Sequence, residues 1–300
     1  MKCVVCDEND FQKHNSILGL EVCRSCGFIR KRTINLGKEY YQEHNVYESD
    51  LGSVPKRDAR LREVKQRFAI VCRLAGPLGG KTLLEIGSHE GLFLNEALKT
   101  GMTVFGIEPN RKAAATAQQN GINVFCGTLE EFKTDRAYDV VVLFHVLEHF
   151  EDPRGALEKI YSLINPGGLL VLEVPNIASY PACKNEKNWE YINDEHVSYF
   201  SPDTIKKLLL SVGFSFGGII QRDFDEWNVG IAENLRRIGI LNAQVSMTVQ
   251  NAHAIGQSKY PIRRTCSWLG IKNIVRFTLS CLVKLLRREH FMFVYAKKPL

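Results

Sequence analysis

Three features of the sequence predict an α/β fold built on a parallel, doubly wound sheet. The stretch 82–91, TLLEIGSHEG, is a short apolar run that stops at Gly87 and yields to helical spacing from Gly91, a strand–turn–helix unit. A second apolar run, Thr103–Ile107, ends at an acid, Glu108, about 20 positions after the glycine turn. Beyond it, apolar runs alternate with amphipathic segments, which sets successive strands side by side with helices on both faces. Such a sheet binds ligands at the carboxyl ends of its strands, so the residues after each strand are the candidate site.

Residues 1–37 read as a separate small unit. Cys3-x-x-Cys6 and Cys23-x-x-Cys26 form two knuckles, and four thiolates suit a tetrahedral zinc. A redox site needs one such pair, not two. The unit has too little core to fold alone, so metal is expected to supply its folding free energy as a closed, structural site. Gly27-Phe28-Ile29 reads as a ribbon strand.

Residues 38–80 read as a linker and helical cap. Tyr40, Tyr41, His44 and Tyr47 either staple this linker to the core, the preferred reading, or line a substrate pocket. Over 55–75, Leu61, Val64, Phe68, Val71 and Leu74 recur at helical spacing, with Pro55 in the first turn.

The main domain is expected over 81–222 plus 289–300. Its strands are placed at 82–86, 103–107, 122–125, 138–144, 169–174, 216–221 and 291–296, the last antiparallel. Helices are expected after Gly91 and over 111–120, 153–164 and 204–212. The segment 175–202 has no clear periodicity, and a long ordered loop in a compact domain reads as a lid.

An insertion, 223–288, separates the last two strands. Between Pro261 and His290 seven basic residues face one acid, a surplus equal to the whole chain's +6. Over 268–288 apolar residues share one side, which fits a membrane-surface helix, a lid or dimer element, or a face buried on the domain. The oligomeric state stays open.

At 300 residues and 45% hydrophobic the chain can bury a large core, and 24% charged residues argue against global disorder. Nine cysteines argue for metal and free thiols over a disulfide framework. With no signal-like N-terminus and no run of about 18 apolar residues, a cytoplasmic protein is expected, with peripheral contact at the inner membrane face through 261–290 as an alternative. Because the positive charge is local, no specific nucleic-acid partner is expected.

Glu85-x-Gly87-x-His89-x-Gly91 resembles the first motif of class I S-adenosylmethionine (SAM) methyltransferases, with the central glycine replaced. A dehydrogenase turn would need that glycine for a pyrophosphate, which Glu85 would repel. The form EIGSHEG is similar to the turn of zinc-containing sugar methyltransferases. HVLEHFEDP followed by LINPGGLLVLEVPN is similar to small-molecule methyltransferases, and the resemblance spans roughly 81–222.

It implies a Rossmann-like seven-stranded sheet with an N-terminal zinc ribbon and a helical insertion before the last strand. Glu85, Gly87, Ser88 and Gly91 would surround the methionine part of SAM, and Glu108 with Pro109 would hold the ribose. Thr128 and Leu129 would bracket the adenine. Three assignments compete for 145–149. His145 turns its backbone to SAM and His149 faces methyl transfer; or His145, Glu148 and His149 bind a divalent cation; or Glu148 and His149 only cap the next helix.

His196, in a lid ending E-H-V-x-Y-F-x-P, is the preferred general base and His149 its competitor, with Trp189 and Tyr199 able to enclose a sugar. The implied reaction is O-methylation of a small-molecule or sugar acceptor of a surface-polysaccharide or natural-product pathway. The alternative is an rRNA or tRNA methyltransferase with a zinc-binding RNA-contact module. Against it, the Asn/Asp-Pro-Pro-Tyr signature is missing after the fourth strand, where HVLEH stands.

Overall fold

The computed structural model describes residues 2–14, 17, 19–32, 38–43, 54–185, 188–222 and 290–300. The insertion 223–288 and the expected contacts of His44 and Tyr47 lie outside these residues. In chain order the elements are β1 (Phe11–Lys13), β2 (Leu20–Cys23), β3 (Ile29–Lys31), α1 (Lys38–Glu43) and α2 (Val54–Ala75). Next come β4 (Thr82–Ile86), α3 (Leu92–Leu98), β5 (Thr103–Glu108), α4 (Arg111–Gln119), β6 (Val124–Cys126) and β7 (Tyr138–Phe144). The chain closes with α5 (Pro153–Ser162), β8 (Ile164–Pro175), α6 (Tyr180–Asn185), β9 (Ser198–Tyr199), α7 (Pro202–Val212), β10 (Ser215–Arg222) and β11 (Phe291–Lys297). Among the described residues no helix is long and apolar enough to cross a membrane.

Seven strands make one sheet in the order β10-β11-β8-β7-β4-β5-β6. From β8 to β6 the strands are parallel, and β11 enters antiparallel between β8 and β10. The fold is thus Rossmann-like, with the expected last strand in the expected orientation. Alternation of side chains along each strand separates two cores. Leu84, Val141, Leu170 and Leu172 face α5 and α7, whereas Leu83, Val140, Val142 and Val171 face α2, α3 and α4.

Two differences from expectation have local causes. The Asn165–Gly168 turn is absorbed into β8, because an irregularity between Tyr138 and Val140 lets Ile164 pair with β7 before the regular ladder begins. The 175–202 segment contains α6 and contributes β9 to a four-stranded antiparallel sheet, β1-β2-β3-β9. The ribbon therefore shares a sheet with the expected lid. Its Cys3, Val5, Cys23 and Phe28 also belong to the same core as Leu157 and Phe200. Burial on the main domain thus stabilises this unit, where the sequence alone points to metal binding.

Candidate functional site

The parallel strands end together where the order jumps from β7 to β4 and β5, the switch point of this architecture. Gly87 there has φ +74°, and a Cβ on it would lie 2.5 Å from Val146 Cγ2, so side-chain-bearing residues are excluded twice over. Gly91, φ +76°, packs against Ala117 and Ile122.

Glu108 ends β5. Its two carboxylate oxygens accept N–H groups of His89 (2.7 Å) and Asn110 (2.8 Å), leaving lone pairs for further donors. Burial raises its pKa, against those two N–H groups and the Arg60 charge. Glu85 is buried with Oε2 unpartnered. Burial carries its pKa well above the carboxylate range, Glu108 adds to this, and Arg67 and Arg60 oppose it. Ser88 Oγ is also buried without a partner, directed at Gly106 of β5. Pro109 links Glu108 to the Asn110 cap of α4. At the end of β6, Thr128 exchanges hydrogen bonds with Glu131, and Leu129 is buried in the core.

Four residues here escaped sequence reasoning. Arg60 of α2 donates to His89 Nδ1 at 2.8 Å, and burial, then Arg60, lowers the His89 pKa to about 4. Arg67, 14% exposed, lies 2.6 Å from Glu173 of β8, which is 0% exposed, and 2.6 Å from Glu63. The signal was present: Arg67 falls between Val64 and Val71 on the helix stripe that faces the sheet. An arginine there needs a buried acid.

Segment 145–149 is not a regular helix. His145 has φ +54°, and only a 3-10 turn, Leu147–His149, follows. His145 still meets Glu148, three residues on, but among the described residues it does not join Glu148 and His149 in a three-ligand group. Its N–H donates to Glu173 O, and its Nδ1 lies 3.2 Å from Glu148 Oε1. Burial lowers its pKa, but Glu148 and Glu173 together raise it above the usual histidine value. Glu148 is buried; burial pushes its pKa up, and His145, His196 and His149 bring it below the ordinary value.

A different trio does meet. Glu148, His149 and His196 each offer a ligand atom within 4.8 Å of the others, a set that could hold a cation. His149 Nδ1 lies 3.0 Å from Glu195 O, and His196 Nδ1 lies 2.9 Å from Tyr191 O. Carbonyls only accept, so both Nδ1 atoms carry the proton and both Nε2 atoms keep a lone pair. The two rings meet edge-on at 4.9 Å. His196 is 6% exposed, and burial lowers its pKa to about 4, against the Glu148 charge.

The surrounding aromatics are sorted by packing. Tyr191 stacks on His196 at 6.0 Å and on His145 at 6.4 Å. Tyr41 meets His149 at 5.7 Å, while Tyr40 donates to Glu195 at 2.7 Å, so α1 staples to the segment before His196. Tyr199 packs with Ile17 and Leu20 and donates to His196 O, so it does not enclose an acceptor as expected. Trp189 is buried behind Tyr191.

Cys3, Cys6, Cys23 and Cys26 bring their sulfurs within 4.8 Å of one another, with Cys3–Cys26 and Cys6–Cys23 both at 3.6 Å. Zinc–thiolate bonds of about 2.3 Å in a tetrahedron put sulfurs about 3.8 Å apart, so the set fits. Burial raises the Cys3 and Cys26 pKa although backbone N–H groups reach both sulfurs, whereas the N–H groups of Cys26 and Ser25 overcome burial at Cys23 and bring its pKa below the ordinary value.

The family model described as "Methyltransferase domain" matches residues 56–216. Over 146 residues the chain is 30% identical to the ubiquinone biosynthesis O-methyltransferase of Escherichia coli O9:H4 (strain HS), covering 45% of this chain and 58% of that relative. The chain thus spans little more than half of that relative's length. It is 25% identical over 213 residues to the protein of the same name from Bradyrhizobium diazoefficiens, covering 62% of this chain and 78% of the relative. Phosphoethanolamine N-methyltransferase 2 of Haemonchus contortus, solved with SAM, has a TM-score of 0.54 at 16% identity, covering 91% of this chain and 62% of its own, a likeness of fold. The turn at Gly87, the acid ending β5 and the strand order agree with these matches: the chain belongs to the methyltransferase-domain family and has the Rossmann-like fold of SAM-dependent methyltransferases.

Proposed function

We propose that this protein transfers a methyl group from SAM to a hydroxyl oxygen of a small-molecule acceptor. The observation that carries the reading is the pair His149 and His196, whose tautomers leave both Nε2 lone pairs available beside the carboxyl ends of the strands. The relatives named as ubiquinone biosynthesis O-methyltransferases support oxygen as the acceptor atom.

SAM supplies an electrophilic methyl when bound. Glu85 suits its cationic amino group, since that charge would offset the burial that raises the carboxyl's pKa. Gly87 admits close approach, and Glu108 offers its remaining lone pairs to ribose hydroxyls. His196, neutral at pH 7, accepts the hydroxyl proton through Nε2 as the oxygen attacks. By the resemblance of the EIGSHEG turn, the acceptor is read as a sugar of a surface-polysaccharide or natural-product pathway. Cys3, Cys6, Cys23 and Cys26 hold one structural zinc, and metal analysis near one zinc per chain is expected.

Turnover assays with nucleotide sugars beside catechol-type rings test the acceptor class; methylation of neither would defeat the reading. A second reading rests on the Glu148, His149, His196 trio as a cation site that orients the acceptor oxygen. Chelator that stops turnover, restored by magnesium but not by zinc, would favour it. For the cofactor, Glu108→Ala is expected to weaken SAM by about 1–3 kcal/mol, the loss of charge-assisted ribose contacts. Calorimetry showing unchanged affinity would remove Glu108 from the cofactor site.

A further inference from the structure

The cysteine knuckles stand at the head of the β2–β3 hairpin: Cys23 ends β2 and Cys26 lies three residues before β3. One edge of β3 pairs with β2, and the other pairs with β9 through Ile29↔Tyr199 and Arg30↔Ser198. The pairing continues toward His196. Lys31 donates its N–H to Val197 O (2.9 Å), and its ammonium lies 2.9 Å from Asp194 and 3.1 Å from Asn193 O.

Asn193 in turn accepts the N–H of His196 at 2.9 Å, and Tyr199, packed on Leu20 of β2, donates to His196 O. Phe28 packs on Phe200 at 5.7 Å. Thus Asn193, Val197 and Tyr199, which flank His196, each rest on the ribbon, while the Val197 N–H and the Ser198 hydroxyl tie the same stretch to Glu148 O and Phe150 O of the main domain. The turn 87–91 is built differently, from β4, β5 and Arg60 of α2.

We infer that the four-cysteine ribbon is a positioning element of the acceptor site: through β3 it holds β9 and with it His196, so metal occupancy of the four thiols governs methyl transfer while leaving SAM binding intact. Lys31 and Arg30 are positioning residues in this device. Loss of the metal from Cys3, Cys6, Cys23 and Cys26 unfastens the hairpin head and loosens the edge that pairs with β9. The inference rests on His196 acting on the acceptor, and displacement of a reacting group by about 1 Å is enough to cost roughly 10²-fold in rate.

The test is Cys26→Ser in the full chain, which leaves Glu148, His149 and His196 in place. Its readouts are metal content, hydrogen exchange of the 189–200 amides, SAM affinity and turnover. Zinc is expected to fall well below one per chain, exchange over 189–200 to rise, and turnover to fall roughly 10²-fold. SAM affinity should stay within about threefold. Wild-type protein stripped by chelator and reloaded with zinc should show the same exchange change, reversed on reloading, which keeps the test decisive if Cys26→Ser does not fold. Metal lost with exchange and turnover unchanged overturns the inference, as does SAM affinity lost in parallel with turnover. Exchange that rises while turnover persists defeats His196 as the base instead, and leaves the clamp between β3 and β9 demonstrated.

Discussion

His196→Ala is expected to slow methyl transfer by about 10²–10⁴-fold, the range that a positioned base contributes. SAM affinity should stay within about threefold, because removing the base acts on the transition state more than on cofactor binding. The pH dependence carries a second signature. A base must be unprotonated to act, so the rate rises with pH through its pKa and is flat above it. Burial lowers the His196 pKa to about 4, opposed by Glu148 and reinforced by the charges of His149 and His145. The ascending limb therefore belongs near pH 4, well below the roughly 6.5 of an ordinary histidine, and Ala should abolish it. Wild-type turnover in His196→Ala with a large loss in His149→Ala would move the role to His149. If neither slows the reaction, the acceptor is not a hydroxyl that needs a base.

Arg67→Ala should cost up to about 3–5 kcal/mol of stability, since it removes the nearer partner of the buried Glu173 carboxylate and leaves His145 Nε2, 3.7 Å away, to compensate it. The Glu173 carboxylate is 0% exposed near the carboxyl end of β8 and 2.6 Å from the Arg67 guanidinium, which also lies over the Phe144 ring. Without Arg67, the longer His145–Glu173 contact must carry the attachment of this carboxylate, and α2 loses its tie to β8. Denaturant unfolding measures the loss, and a change under about 1 kcal/mol would show that the pair is not what holds α2 on the sheet. Arg67→Met with Glu173→Leu should recover much of the loss, because replacing both partners leaves no orphaned charge.

The periodicity of apolar residues and the glycine punctuation were enough to determine the sheet. The β7 run is placed at 138–144 from the sequence and found there without change, because a strand buried on both faces must be apolar almost throughout. The same holds for the turn at Gly87, where φ +74° and the approach of Val146 leave glycine as the residue that fits. The Cys-x-x-Cys pairs likewise announced a cluster that the fold then assembles.

Tertiary structure decided what chemistry surrounds those landmarks. Arg67 meets Glu173 across 106 residues, and Tyr40 meets Glu195 across 155, separations over which no local pattern carries information. A two-residue strand such as β9 has no period to detect, so its union with the ribbon emerges only when both segments pack against Phe200. His145 and His196 differ in the same way. One imidazole lands between two carboxylates and has its pKa raised, and the other is kept neutral by burial, against the Glu148 charge and the Tyr191 carbonyl. Residue type is common to both; the surroundings that fix the proton exist only in the folded chain.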